Sequence, residues 1–451
     1  MIHRKPIYIL MLVVSLCLFA RAQEQPRFDD YFYNRTLSLY LYREGNSHWD
    51  TVYLSDRGYA HSGYVPNNAV MPGENPYGDA GWAGSTTVLL DPFDYGAYRV
   101  LVRDSATGRE IYSRTYSTLF NEYRDTPGGR DSVARFEEVV RVPLPVRAVD
   151  ICLQKRDGDR RFRTATTLHH SGGGGEVTYG LRPDHRPIHL QVRGSSHEKI
   201  DVAVVAEGYG AGDSAKMRCD FARFVECLFS AEPFKGRRDD FNVWGLGVLA
   251  QESGITDPAR GTRVNSVAGC AYNTFGSDRY LMTFHLFQLH DALLAVPYDH
   301  IVIMANSDHY GGGAIYNFYA VSAVQEMSRH ILPHELGHSV GGLADEYVDE
   351  GISYGEIHRI PYEPTEPNIT NMVDFDSKWK DLVDASTPVP TPPCTLDNPM
   401  GVCGPVGLYE GAGYSPRGVY RPVMNCMMRY YAPFCPVCER ALNAVFDIYC
   451  K

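Results

Sequence analysis

No run of basic residues occurs anywhere in this sequence, and its formal charge is -11. Nucleic acid binds protein through clustered Lys and Arg, so it is excluded as a partner. Past the first twenty residues no apolar stretch approaches the roughly 20 residues that a membrane span needs, so no transmembrane segment is expected. Low-complexity tracts and repeats are missing too. With 44% hydrophobic residues in 451, the chain is globular rather than disordered and long enough for two or three domains. Its first third lacks helical periodicity, which leaves β structure there.

What is present begins with a leader. Arg4 and Lys5 precede an apolar run from Ile7 to Ala20, and Ala20-Arg21-Ala22 offers a small-x-small cleavage site. Residues 1–22 therefore read as a secretory signal peptide cut before Gln23, which predicts a periplasmic, cell-surface or extracellular protein. Cys17 raises lipoprotein processing, but Leu16 is larger than the residue a lipobox needs. Of the eleven cysteines, the ten left after Cys17 form an even set, and in an exported protein the expectation is disulfide pairing. Cys435-Pro436-Val437-Cys438 alternatively reads as a redox pair or half a zinc ribbon, weakened by the lack of a matching second pair.

Residues 23–170 read as an antiparallel β-sandwich. Thr36–Tyr42 and Tyr98–Val102 alternate with period two, Asp104–Gly108 is a hairpin turn leading to Arg109–Ser113, and Val149–Leu153 precedes a second turn at Asp157-Gly158-Asp159. Its Tyr and Arg residues are expected on ordinary sheet faces, with glycan or protein binding as the alternative. Residues 171–198, opening on Ser171-Gly172-Gly173-Gly174-Gly175, read as linker.

From 199 to 451 the pattern is αβ. Ile200–Ala206, Phe241–Leu246, His300–Met304 and Ala320–Val324 read as strands. Helices are expected after Asp213, with Met217, Phe221, Phe224 and Leu228 on one face, and from Asp278 to Leu294. A dinucleotide fingerprint after Ala206 fails because Asp213 stands where a third glycine belongs. The glycine-rich Tyr310–Tyr316 stretch is a candidate sheet edge for an extended substrate, or a plain loop. Pro333 predicts a late or kinked start for the next helix.

That helix carries His334-Glu335-Leu336-Gly337-His338. On a helix the two imidazoles share a face and reach one metal ion, while Glu335 stands beside it as general base. Metzincin-type sites take a third ligand ten residues after the first His, past a glycine turn, but that position is Ala344. The doubled Gly341-Gly342 would absorb one inserted residue and make Asp345 the third ligand. A continued helix would carry Asp345 about 10 Å beyond His338, so the helix must break. Glu346 is the alternative third ligand, and a two-His site with water the other. A Ca2+ ion gathered by Asp345, Glu346, Asp349 and Glu350 is the alternative to solvated charge, the preferred reading because no calcium-loop spacing is evident.

Downstream, Cys426-Met427-Met428-Arg429-Tyr430 matches a Met-turn with Cys for Ser. Met428 would form the floor of the site and Tyr430 would donate to the oxyanion, against the plain alternative of a core turn.

The stretch from His334 to Tyr347 resembles the IgA-peptidase family of zinc metallopeptidases. So do Ala206-Glu207-Gly208-Tyr209, Gly407–Tyr414, Tyr420-Arg421-Pro422, Asn425–Arg429 and Phe434-Cys435-Pro436-Val437-Cys438. The resemblance runs from about 198 to 450, and the preceding β region is similar to the family's N-terminal domain. It implies an α+β multidomain protein, an antiparallel β-sandwich followed by a metzincin-like α/β peptidase domain, of gut-type bacteria. It further implies one catalytic Zn2+ on His334, His338 and Asp345, with Glu335 as base. The function expected is a secreted endopeptidase acting on protein or peptide substrates, host-derived ones included. The alternative is a non-catalytic exported protein that binds protein or glycan and holds a structural zinc.

Overall fold

The computed structural model describes residues 25–61, 81–173, 185, 187–349, 362–393 and 404–450. The leader, Cys17, Cys394, Cys403 and Glu350 lie outside them. Among the described residues no helix is long and apolar enough to cross a membrane.

Two antiparallel sheets make the N-terminal half. One has the order β2-β1-β5, from β1 (Phe32–Gly45), β2 (Asp50–His61) and β5 (Ala134–Pro145). The other has the order β4-β3-β6-β7, from β3 (Tyr98–Asp104), β4 (Glu110–Tyr116), β6 (Val149–Arg156) and β7 (Phe162–His170). Period-two alternation decides which way each side chain faces. Leu37, Leu39 and Leu41 of β1 meet Val100, Val102, Ile151 and Leu153 in the sandwich interior. Inside it Arg43 bridges Glu138 at 2.7 Å and Asp50 at 3.1 Å, all three side chains at most 2% exposed.

The other face of β1 is not a free surface. Tyr40 packs edge-on and Tyr42 tilted against Phe287, each with ring centroids 5.2 Å apart, and the Tyr40 hydroxyl donates to Asp291 at 2.8 Å. Tyr40, Phe136 and Val139 belong to one apolar cluster with Trp244, Ile301 and Ile303 of the C-terminal half. These tyrosines thus join two halves of the molecule.

The C-terminal half is built on a six-stranded sheet of order β12-β13-β11-β9-β10-β8. Its strands are β8 (Ile188–Gln191), β9 (Ile200–Glu207), β10 (Phe241–Leu246), β11 (His300–Ala305), β12 (Gly312–Ile315) and β13 (Tyr319–Ala323). Strands β10, β9, β11 and β13 run parallel, flanked by antiparallel β8 and β12. Both faces are covered, which is why β9 and β11 are wholly buried. Helices α1 (Ser214–Leu228), α3 (Ser328–Ser339) and α4 (Pro436–Tyr449) cover one face; α2 (Leu286–Ala292) and the N-terminal sheet cover the other. A hairpin, β14 (Tyr409–Ala412) and β15 (Ser415–Arg421), lies outside the sheet.

Three expectations need amendment. Residues 188–191, inside the supposed linker, pair with β10. The helix expected from Asp278 is only Leu286–Ala292, because residues 279–281 bond the sheet edge instead: Leu281 N–H donates to the Gly312 carbonyl and Gly312 N–H to that of Arg279, both at 3.2 Å. The same bonds cover the β12 edge at Gly312, so a substrate strand has no free backbone there. The third concerns sulfur: Cys152, Cys219, Cys227, Cys270, Cys426, Cys435, Cys438 and Cys450 are free thiols, so no disulfide forms among the described cysteines.

Candidate metal centre and active site

Helix α3 starts at Ser328, earlier than Pro333 suggests. Proline cannot bond the carbonyl one turn back, that of Arg329, and the Ser230 hydroxyl donates to it at 3.0 Å instead. The helix ends at Ser339, and Gly342 takes a left-handed φ of +60°. Leu343 N–H then donates back to the Gly337 carbonyl at 3.1 Å, capping the helix and reversing the chain. This is the break that the Asp345 reading required.

The reversal brings three side chains together. Asp345 Oδ1 lies 3.1 Å from His334 Nε2 and 3.3 Å from His338 Nε2, and the two Nε2 atoms are 3.1 Å apart. Each ring's Nδ1 faces a carbonyl, Met427 O at 2.9 Å for His334 and Leu343 O at 2.6 Å for His338. A carbonyl only accepts, so Nδ1 carries the proton and Nε2 is a bare lone pair. Two nitrogen lone pairs and a carboxylate oxygen therefore converge, and Asp345 Oδ1 has no hydrogen-bond donor. Such a set could hold a cation, and the donor types suit a divalent transition ion. Without one, burial pushes His338 down but Asp345 draws a proton onto it, carrying its pKa up to about 9. The Tyr414 hydroxyl donates to Asp345 Oδ2 and steers the carboxylate.

Glu335, on the same helix, is partly buried. Burial, offset by the two histidines, holds its carboxyl above the ordinary range. A Cβ on Gly312 would fall 2.9 Å from Glu335 Oε1, so glycine there keeps the carboxylate's space open. Beneath the helix, a Cβ on Gly337 would fall 2.5 Å from Met428 Sδ, which puts the Met-turn against the turn between the two histidines. Met428 is fully buried and its carbonyl accepts from Glu346 N–H at 2.8 Å.

Residues 188–400 and 394–446 match the family described as IgA Peptidase M64, and residues 27–167 match Peptidase M64 N-terminus. The chain belongs to the M64 peptidase family. No curated protein is detectably similar to it. An M64 peptidase acts on protein or peptide, and the fold is the α+β arrangement that the resemblance implied.

Within this M64 chain the structure brings together His334, His338, Asp345 and Glu335. Tyr430 is half exposed, its ring centroid lies 5.0 Å from that of Tyr431, and its hydroxyl has no hydrogen-bond partner among the described residues. Glu346 does not join the histidines. Its carboxylate turns to Cys426, Cys435 and Cys438, all four ligand atoms lying within 4.8 Å of one another. Asp345 and Glu346 stand in separate groups, so no shared calcium site gathers them among the described residues.

Sequence reasoning missed Tyr414, Tyr310, Tyr431 and Arg279. Tyr310 is pushed up to about 12 by burial and by the nearby Tyr431 and Glu335. Arg279 stands over the Tyr347 ring at 5.9 Å, and its charge is felt by Asp345 and Glu335. None has motif spacing. Only Tyr414 had a signal, its place in the Gly407–Tyr414 stretch.

Proposed function

We propose that this peptidase is a zinc-dependent endopeptidase, exported through residues 1–22, that cuts protein substrates including host-derived ones. The carrying observation is the convergence of His334 Nε2, His338 Nε2 and Asp345 Oδ1 without a donor among them. A Zn2+ ion held by these atoms supplies Lewis-acid activation of water and of the scissile carbonyl. Glu335 then takes the proton of the attacking water on a carboxylate oxygen and delivers it to the departing amine. Burial raises its pKa above the ordinary carboxylate range, the direction that favours taking up that proton. Tyr430, whose hydroxyl is uncommitted, donates to the oxyanion.

Tyr40 and Tyr42 of β1 pack on Phe287 and so are not a surface for the non-catalytic binding reading. Casein hydrolysis by the mature chain, measured beside Glu335→Gln with metal content determined for both, tests the proposal. Equal zinc with activity lowered at least about 10²-fold in the variant is expected. Undiminished hydrolysis in Glu335→Gln removes Glu335 as the base. Mass spectrometry of the exported chain should begin at Gln23.

A further inference from the structure

A second convergent group lies behind the first. Cys426, Cys435 and Cys438 are each at most 0% exposed, as is Glu346. Cys426 Sγ is 3.7 Å from Cys438 Sγ, and Cys438 Sγ is 3.4 Å from Glu346 Oε1. The sulfur separation is far beyond the roughly 2.05 Å of a disulfide. It instead matches a tetrahedral edge: Zn–S bonds of about 2.3 Å put two sulfurs about 3.8 Å apart, and a Zn–O bond of about 2.0 Å puts oxygen about 3.5 Å from sulfur.

Burial makes the group hard to explain as ordinary core. Glu346 Oε2 has no hydrogen-bond partner, and a buried carboxylate with an unmatched oxygen is costly unless a cation compensates it. Its Oε1 accepts from Asn368 Nδ2 at 3.0 Å, which orients the carboxylate toward the sulfurs. Cys435 N–H donates to Cys426 Sγ at 3.3 Å, a bond that favours thiolate. Cys435 also stands at the N-cap of α4, where backbone N–H groups attract negative charge. The buried Arg421 is close enough for Glu346 to act on its charge, and supplies a counter-ion for an acidic site.

We infer that Glu346, Cys426, Cys435 and Cys438 form a second, structural site for a thiophilic divalent ion, zinc above all. The three thiols release their protons on binding and the carboxylate completes a closed tetrahedral shell with no open position for substrate. Asp345 and Glu346 are neighbours in sequence, so the two sites share one segment. Cys426 anchors the turn whose Met427 carbonyl holds His334 and whose Met428 carbonyl holds Glu346 N–H. The sulfur site thus positions both the third ligand and the floor of the first site. It does not rest on the proposed catalysis.

The full mature chain, prepared under thiol-protecting conditions, tests this by metal stoichiometry and by Co2+ substitution. The parent should hold two Zn2+, and the His334→Ala/His338→Ala double variant should keep one. That variant, loaded with Co2+ alone, should show intense sulfur-to-cobalt charge-transfer absorption. Cys435→Ser/Cys438→Ser should lose this ion and weaken the remaining site about 10- to 100-fold. If the cysteine variant fails to fold, the cobalt spectrum of the histidine variant decides alone. A histidine variant without tightly held metal and without that absorption overturns the inference, as does recovery of a disulfide between any two of these cysteines from untreated protein. Neither result bears on the Glu335 test, so the two readings fail separately.

Discussion

A carboxylate in this chain is defined by what converges on it. Glu207 is fully buried at the end of β9 and accepts from Ser266 Oγ at 2.6 Å, Ala268 N–H at 2.7 Å and Cys270 N–H at 2.8 Å. Glu207→Gln turns one acceptor into a donor facing donors and should cost about 2–4 kcal/mol, read as a lowered urea midpoint. Tyr430→Phe should lower kcat about 10²-fold with little change in KM. Tyr310→Phe, at a residue near Tyr431, should stay within a few-fold of the parent; the reverse pattern in steady-state kinetics would hand the oxyanion to Tyr310. At this scale the convergence of His334, His338 and Asp345 was legible in sequence, since a four-residue histidine spacing and a doubled glycine allow the chain to turn back at Asp345. Glu346 was not. It sits one position from Asp345, yet the chain direction alternates its side chain to the far side, toward cysteines 80 or more residues away. Ligands that come from the segment after α3, a turn and a helix N-terminus carry no common spacing.

Elements depend on a few backbone positions. The turn after α3 requires a residue at φ +60°, and a Cβ on Gly342 would meet the Tyr95 and Tyr316 rings at 3.1 to 3.2 Å. Gly342→Ala should therefore destabilise the fold by about 1–2 kcal/mol, and should loosen metal binding more than that loss alone because Asp345 follows the turn. Isothermal titration of the metal-free variant measures the second effect. The strands of the central sheet were readable because burial on both faces makes them uninterrupted apolar runs. Two helix starts were not, for one reason. The Arg329 carbonyl finds its donor in Ser230, and residues 279–281 find theirs in Gly312, both partners distant in sequence. Local propensity yields to hydrogen bonds that only the folded chain can make.

Across the whole molecule, acid should be the weak point. His290 and His300 are buried, and burial, aided by Arg141 and Arg114 respectively, pushes each pKa down to about 3. Below 6.5 the unfolded chain binds these two protons and the folded chain does not, so stability is intact above 6.5 and drains away as pH falls toward 3. Each histidine contributes a slope of up to about 1.4 kcal/mol per pH unit. Urea midpoints of His290→Gln/His300→Gln, measured between pH 7 and 4.5, should fall less steeply than those of the parent. The sandwich was visible in the period-two alternation of its strands, but not that the outward tyrosines of β1 are covered by α2.

That sheet, β2-β1-β5, has a further effect. Leucines look into one interior and tyrosines into another, so melting either half uncovers the other, and calorimetry should trace a single endotherm instead of two. A truncated gene beginning near residue 188 would yield a product with a raw aromatic-binding flank, prone to clump. The front module is masonry, and the cutting edge stands only while that wall does.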